Sequence, residues 1–407
     1  MPLNFQRHPY YILAMKYANQ YLLSAIQIMN LYDGSIPLAA YLKKHFSENK
    51  KFGSKDRRHI AHLCYAFSRI GKAGSNLQIE NRFKIALFLV NEIVDGWEIL
   101  FDENWLNHWE QPIDSKLEFI KSQYPEFNGD DIFPFLNGLS KIIDASNFAI
   151  SHLMQPDVFL RIRPGKYDAV RKQIKTAEIP FTKISDTCFA LPNSVKIDEI
   201  VAIDRDVVIQ DKSSQRIAEF FSKIERDKTK AVQLWDCCAA SGGKTLLAKD
   251  HLGVMDITVS DIRSSILKNL AARFERAGIK YFQSFTSDLS KPNPTKPHGI
   301  FDLILADVPC SGSGTWGRTP EQLSFFTEDK IEHYTSLQKS IVSNVISSLA
   351  PGGYFLYSTC SVFESENEKM KNYILINNPD ISIIDEQYLI GYDQKADTMY
   401  AVLFRKK

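Results

Sequence analysis

The reactive side chains of this sequence fall in two short stretches, Asp307-Val308-Pro309-Cys310-Ser311-Gly312-Ser313-Gly314-Thr315 and Ser358-Thr359-Cys360-Ser361. Each follows an apolar run rich in β-branched or aromatic residues, Phe301 to Ala306 before the first and Tyr354 to Tyr357 before the second. The pattern predicts two buried strands, each with a cysteine just past its carboxyl end. That edge of an open α/β sheet is where ligands bind. Two thiols at one edge suit covalent catalysis, in which a sulfur nucleophile divides one hard step into easier ones. Glycine and hydroxyl neighbours set Cys310 and Cys360 apart from Cys64 and Cys188, which read as small apolar fillers.

The elements that must position these thiols alternate along the chain. From about Val207 the order is strand, glycine loop, helix, repeated. Gln233 to Asp236 reads as a strand, Cys237 to Lys244 as a loop and Thr245 to His251 as a helix. Ile257 to Asp261 is a second strand and Ser264 to Ala277 a second helix. Tyr281 to Asp288 and Phe301 to Asp307 are further strands. A helix over Ile331 to Leu349 ends at Pro351-Gly352-Gly353, before a strand at Tyr354 to Thr359. Ile381 to Ile384 and Met399 to Phe404 predict a terminal hairpin with the last strand antiparallel. Alternation of this kind gives a doubly wound, mostly parallel, seven-stranded sheet.

Upstream the periodicity changes. Residues 1 to 150 carry helical spacing, with Ser54 as an expected N-cap and Ile60, Leu63, Cys64 and Phe67 on one helix face. Lys55, Arg57 and Arg58 on the other face suit either phosphate contact or plain solvation. Residues 151 to 205 read as a small α/β module. Val158 to Arg163 alternates like a strand, Tyr167 to Ala177 is a helix, and strand-like pieces surround Ile184 and Cys188 to Leu191. Such a sheet face often meets single-stranded RNA.

With 407 residues the chain is expected to hold two or three domains. A net charge of +1 gives no global attraction to nucleic acid, so any RNA surface must be a local patch. No apolar run is long enough to span a bilayer, and Met1 to His8 has no signal-peptide core. Six cysteines without a CxxC pair do not make a disulfide scaffold. Adjacent Cys237 and Cys238 are poorly placed to share a tetrahedral metal. Free thiols in the cytoplasm, and no bound metal, are the expectation.

The loop Asp236-Cys237-Cys238-Ala239-Ala240-Ser241-Gly242-Gly243-Lys244-Thr245 narrows the ligand. A phosphate-binding P-loop requires glycine where Cys238 stands. The dinucleotide spacing G-x-G-x-x-G is also missing. What remains is a small-residue loop that lets backbone approach a ligand closely. Asp261, after the second strand, can accept from ribose hydroxyls, and Asp288, after the third, from an adenine amino group. Taken singly each acid reads as a helix N-cap. Repeated at successive strand ends without a pyrophosphate cradle, they suit S-adenosylmethionine.

Methyl transfer to an amine needs no covalent catalyst, and its sites often carry Asp/Asn-Pro-Pro-aromatic. Here Val308 and Cys310 replace the first proline and the aromatic. Carbon 5 of a pyrimidine is barely nucleophilic until a thiolate adds at carbon 6. Such a reaction requires a cysteine of depressed pKa and an acid near nitrogen 3, for which Asp307 is placed.

These residues resemble the Sun/Fmu-type RNA (cytosine-5) methyltransferases, related to the eukaryotic Nop/Sun proteins. The resemblance rests on Asp236 to Thr245, Asp307-x-Pro-Cys310-Ser-Gly-x-Gly-Thr315, Ser358-Thr-Cys360-Ser followed by Glu366-Asn367-Glu368, and the lead-in Gln210-Asp211-Lys212-Ser213-Ser214-Gln215. It covers roughly residues 150 to 407. It implies a Rossmann-like, class I methyltransferase domain over residues 206 to 407 and S-adenosylmethionine as cofactor. Cys360 is implied as the nucleophile and Cys310 as the residue that helps release product. Cys238, Ala239, Ala240, Ser241, Gly242, Gly243 and Lys244, with Asp261, Asp288 and Asp307, are the implied cofactor site. Residues 1 to 150 distantly resemble the helical NusB-type RNA-binding domain, and residues 151 to 205 form the RNA-binding module between. The implied partner is RNA, with ribosomal RNA expected and a monomer as the default state.

Three departures stand out. Ser241 occupies a position that is usually proline and is expected to leave the loop freer. Gly317 and Arg318 stand where two arginines are usual, and Asp397-Thr398-Met399-Tyr400 lacks the usual Gly-Phe-Phe. Three other readings stay open: an idle ribosome-assembly factor, a transfer RNA substrate, and an amino-group methyltransferase.

Overall fold

The computed structural model describes residues 9–94, 96–193 and 195–407. Met1 to His8, read above for a targeting signal, lie outside them. The chain forms two compact units. One comprises the chain up to Leu136 with Asp144–Gln155 and Trp316–Phe326, and the other comprises Asn137–Ile143, Pro156–Thr315 and Thr327–Lys407.

The first unit is helical. It contains α1 (Pro9–Leu31), α2 (Leu38–Glu48), α3 (Ser54–Arg69), α4 (Ile79–Val90), α5 (Glu103–Asn107), α6 (Ile113–Gln123) and α7 (Ala145–Ser151). Ile60, Leu63 and Cys64 face its core as their spacing predicts. The expected N-cap shifts by one residue. Gly53 caps α3, and Ser54 is the first helical position. Asp56, three residues on from Gly53, reaches back and accepts from the Gly53 amide at 2.8 Å, so a carboxylate replaces the serine hydroxyl in tying the helix start. Arg69, at the end of α3, is buried and donates to the carbonyl oxygens of His152 (2.8 Å) and Met154 (3.0 Å).

The second unit opens with a four-stranded antiparallel sheet. β1 (Val158–Ile162), α8 (Tyr167–Thr176), β2 (Thr182–Ser185), β3 (Cys188–Leu191) and β4 (Val207–Ile209) give the order β2-β3-β1-β4. Val170 and Ile174 of α8 pack on Leu160, Ile162, Phe189 and Leu191. The fourth strand lies past residue 205, because Leu160 to Ile162 pair with Val207 to Ile209.

The larger sheet follows two short helices, α9 (Lys212–Arg216) and α10 (Ala218–Phe221). Its elements are β5 (Val232–Asp236), α11 (Gly243–Leu252), β6 (Met255–Asp261), α12 (Ser264–Arg276), β7 (Gln283–Thr286), β8 (Phe301–Asp307), α13 (Asp329–Val345), β9 (Leu349–Thr359), α14 (Glu368–Asn377), β10 (Ile381–Leu389) and β11 (Met399–Lys406). The seven strands run β10-β11-β9-β8-β5-β6-β7. From β7 across to β9 the neighbours pair in parallel, and β11 is antiparallel to both its neighbours. The fold is thus the Rossmann-like α/β architecture that the alternation predicts.

Strand periodicity divides the core into two faces. Leu234, Leu303, Leu305 and Leu356 meet α11 and α12 through Leu246, Leu270 and Phe274. Trp235, Ile304, Ala306, Phe355 and Tyr357 meet α13 and α14 through Ile341, Val345, Met370 and Ile374. The sequence-based boundary at Pro351-Gly352-Gly353 is corrected. These residues do not separate helix from strand but bulge within β9, since Phe301 pairs with Leu349 and Leu303 with Tyr354. β7 is shorter than expected and lies at the sheet edge, where nothing extends its pairing.

In the helical unit the buried His152 stacks 5.8 Å from Phe133 and has Nδ1 2.8 Å from the Phe148 carbonyl oxygen. Burial pushes its pKa down from 6.5 to about 4. The unfolded chain therefore binds the extra proton first as pH falls, so stability is full above about pH 6.5 and declines towards pH 4. Each pH step of one between those values is worth ~1.4 kcal/mol, so the decline should approach about 3 kcal/mol. Denaturant unfolding of the protein and of His152→Asn across that window should show a flatter pH slope for the variant; equal slopes would refute the assignment.

Candidate active site

The carboxyl ends of β5, β6, β8 and β9 supply Asp236, Asp261, Asp307 and the Thr359-Cys360 turn. The 237–242 loop is folded back tightly between β5 and α11. Ala239 N donates to Ser260 O (2.9 Å), and Gly242 N to Ala239 O (2.7 Å). Gly242 has φ +78°, and a Cβ there would lie 2.6 Å from the Phe274 ring, so both backbone and space require glycine. The loop borders a cavity of about 240 Å³. Cys238, Ala239, Ala240, Ser241, Gly243 and Lys244 line it, with Asp236, Asp307 and Arg273. Gln210, just past β4, and Ser214, in α9, complete one wall.

The structure gathers most of the residues singled out above. Asp261 adjoins the loop by accepting from Ala240 N at 3.0 Å, and its carboxylate also holds the Arg263 guanidinium. Asp288 lies next to this group, since Ser287 N donates to Asp261 O at 3.1 Å. It follows β7, and its Oδ1 caps a turn by accepting from Ser290 N (3.1 Å) and Ser290 Oγ. Ser241 is not left loose by the missing proline ring, because Arg273 donates to its carbonyl (3.2 Å) and its hydroxyl (2.9 Å).

Asp307 is fixed on both oxygens. Lys244 Nζ lies 2.7 Å from Oδ2, and Ser358 Oγ donates to Oδ1 at 2.9 Å. Burial works against the Lys244 ammonium, but the charge and hydrogen bond of Asp307 outweigh it and its pKa is raised. Asp236 is fully enclosed and accepts from the Thr245 hydroxyl at 2.6 Å. Burial pushes its pKa up to about 7.

The two cysteines meet. Their Sγ atoms are 3.3 Å apart, and both residues are partly accessible. The Cys310 thiol is held well above its ordinary pKa, first by its hydrogen bond with Cys360, then by burial and by the charges of Cys360 and Glu366. Burial raises Cys64 to about 12 and Cys188 to about 11, which marks both as unreactive core residues. Hydrogen bonding to Cys238 and burial likewise raise Cys237.

Sequence reasoning left Glu366, Gln338 and Arg273 without roles. Glu366 accepts from Ser311 and Ser361, one residue beyond each cysteine. Its sequence signal is the segment Glu366-Asn367-Glu368 that follows the Cys360 motif. Gln338 and Arg273 come from helices whose faces pattern alone does not orient.

Comparison with known proteins extends this picture. Residues 223–402 match the family model of the 16S rRNA methyltransferases RsmB/F. The probable ribosomal RNA small subunit methyltransferase B of Bacillus subtilis is 30% identical over 234 residues, 56% of this chain and 51% of that protein. The protein of the same name from Synechocystis is 28% identical over 234 residues, 55% of this chain and 51% of its own length. The chain thus matches about half the length of these curated relatives. Among solved structures, PH0851 aligns with a TM-score of 0.66 at 17% identity, covering 96% of this chain and 98% of that one. NSun6 from Pyrococcus horikoshii, determined with SFG, gives 0.54 at 14% identity over 65% of this chain and 96% of its own. At these identities the structural matches establish the fold. The resemblance carried by the cysteine and glycine motifs is borne out over residues 223–402.

Gly314 lies between the cysteine loops, with its amide 2.9 Å from Cys360 O and its carbonyl accepting from Thr398 N. A Cβ there would sit 1.9 Å from the Thr398 carbonyl oxygen. Gly314→Ala should therefore cost about 2 kcal/mol or more, as overpacking against backbone does. Thermal unfolding checks this, and an unchanged midpoint would show that the loops separate freely.

Proposed function

We propose that this chain, whose residues 223–402 match the RsmB/F rRNA methyltransferases, methylates carbon 5 of cytosine in RNA, with ribosomal RNA as the target. The reading is carried by one observation: two sulfurs 3.3 Å apart at the ends of neighbouring parallel strands, beside a fixed carboxylate. A methyltransferase of amines has no use for that pair.

The cofactor is S-adenosylmethionine, which supplies an electrophilic methyl group on a sulfonium. The residues around the cavity fit it. The small-residue loop allows close backbone approach, Asp261 is an acceptor for ribose hydroxyls, and Lys244 and Arg273 bring positive charge for a carboxylate. Asp288 would hold the adenine amino group, as the resemblance implies.

Cys360 adds as thiolate at carbon 6 of the cytosine, forming a C–S bond and placing electron density on carbon 5. Asp307, oriented by Lys244 and Ser358, offsets charge building at nitrogen 3. Carbon 5 would then take the methyl group, its donor leaving as the neutral thioether. A base, assisted by Cys310, would take the carbon 5 proton, the electrons of that C–H bond would restore the ring double bond, and Cys360 would leave as thiolate. The sheet of the 151–205 module is covered on one face by α8 and on the other by Ala396 and Asp250, so the RNA contact expected there is replaced by the basic edge of α3, Lys55, Arg57 and Arg58. A cytoplasmic monomer fits this role, and no helix among the described residues is long and apolar enough to cross a membrane.

Cys360→Ala should abolish transfer while calorimetry still shows cofactor binding; residual methylation would remove Cys360 as nucleophile. Cys310→Ala should leave protein covalently attached to RNA on a denaturing gel, and the lack of an adduct would overturn its role. Asp307→Asn should lower the rate about 10²-fold or more. Digestion of treated RNA to nucleosides, with chromatography and mass spectrometry, checks the product, because 5-methylcytidine and N4-methylcytidine separate; N4-methylcytidine alone would overturn the reading.

A further inference from the structure

Two sulfurs of this chain touch. Cys310 Sγ and Cys360 Sγ are 3.3 Å apart, both residues are partly accessible, and both are free thiols. A disulfide joins sulfurs at about 2.05 Å, so bond formation needs an approach of about 1.3 Å. The frame around them is already set. Ser311 and Ser361, one residue past each cysteine, donate to the same carboxylate, Glu366. Gly314 N donates to Cys360 O at 2.9 Å, and Val308 N to Ser358 O at 3.2 Å. The two loops are therefore tied to each other, and closing the gap falls to the two side chains.

The other cysteines make no comparable pair. Cys64 is buried in α3 and Cys188 in β3. Cys237 and Cys238 are consecutive, and consecutive α carbons lie about 3.8 Å apart, below the span of about 4.4 to 6.8 Å that a disulfide bridges. The described lining of the cofactor cavity includes Lys244 and Asp307 but neither Cys310 nor Cys360. A bond between those two sulfurs leaves the walls of that cavity in place and removes the thiolate that adds to the ring.

We propose that Cys310 and Cys360 form a reversible disulfide that switches methyl transfer off and spares cofactor binding, with a hydroperoxide as oxidant and a dithiol as reductant. One cysteine attacks as thiolate on a peroxide oxygen. An S–O bond forms, the O–O bond breaks, and the leaving oxygen takes a proton. The second cysteine, as thiolate, attacks the resulting sulfenic sulfur. The S–S bond forms, the S–O bond breaks, and that oxygen leaves as water. The two sulfurs together lose the electron pair that the peroxide gains. Contact between the thiols decides the outcome, because a sulfenic acid without a partner is oxidised onward to sulfinic acid, which thiols do not reverse. Thiol exchange with the dithiol, through a mixed disulfide, returns both cysteines. The loss of transfer rests on the reading of Cys360 as nucleophile; the bond itself does not.

The test treats the purified full chain with hydrogen peroxide and then with dithiothreitol. Digestion without reductant should yield the Cys310 and Cys360 peptides joined, lighter than the two apart by a pair of hydrogen atoms. The oxidised chain should lose transfer to RNA, still bind S-adenosylmethionine by calorimetry, and recover transfer after dithiothreitol. Cys310→Ser should give no joined peptide, and the same treatment should carry its Cys360 to sulfinic acid, which dithiothreitol leaves unchanged. Separate sulfinic acids in the unaltered chain, a joined peptide with transfer intact, a loss that dithiothreitol does not reverse, or a loss of cofactor binding on oxidation would overturn the proposal. If Cys310→Ser does not fold, the joined peptide and the recovery in the unaltered chain decide. If the bond forms and is reduced as expected but the reduced chain methylates no RNA, the methyl-transfer reading fails and the reversible bond stands.

Discussion

The site depends on the register of two parallel strands. Asp307 of β8 pairs with Ser358 of β9. Cys310 then lies three residues past one partner and Cys360 two past the other, and the turns that follow bring their sulfurs to 3.3 Å. A slip of one residue would exchange the faces of β9, sending Phe355 and Tyr357 to the side packed by leucines. Two separate cores therefore hold the register, and hydrophobic packing far from any reacting atom sets the spacing of the thiols.

That spacing brings charges into a confined space, and each is answered. Lys244 and Asp307 face each other, Ser358 occupies the second oxygen of Asp307, and Glu366 takes donors from three elements. Buried charge is tolerated only when it is paired or fully hydrogen-bonded. The serines of the two motifs have this duty. Ser311 and Ser361 act on Glu366 rather than on a ligand, which is why hydroxyls flank both cysteines.

Much of this was legible in sequence because strand ends announce themselves. Short apolar runs, closed by aspartate or by Ser-Thr, located β5, β6, β8 and β9 and the edge where the thiols lie. The errors have physical causes. Pro351-Gly352-Gly353 signals a turn, but it forms a bulge, because the pairing of Phe301 with Leu349 and of Leu303 with Tyr354 carries the strand through it. Ser54 is a sound capping residue, yet Asp56 reaches the Gly53 amide and moves the helix start. Glu366 was part of the motif but had no role assigned, since one of three alternating acids, Glu364, Glu366 and Glu368, gives no hint that folding will enclose it between two serines. The proximity of Cys310 and Cys360 was inferred from shared position at a sheet edge, whereas the donor network beneath them depends on a helix, α13, whose rotation no pattern specifies.

The serine in the cofactor loop shows how a departure from a family pattern can be absorbed. Proline would stiffen the loop covalently by fixing φ. Here Arg273 of α12 grips both oxygens of Ser241 and also donates to Asp204, at 2.8 Å, in the segment leading to β4. Asp204 is almost fully enclosed and is held at φ +68°, a backbone state that a non-glycine residue adopts only when its surroundings compel it. Arg276 supplies the second contact to the same carboxylate at 2.7 Å. Nearby, Arg161 and Arg163 clamp Asp250 of α11, the helix that begins at the loop. The loop is therefore restrained from the small sheet by ion pairs in place of a ring. Paired charges with little solvent around them are far less screened by salt than exposed ones, so this restraint persists at the ionic strength where surface pairs fade. The rigidity that the loop needs has moved from its own backbone to the contact between α12 and the strand beside it.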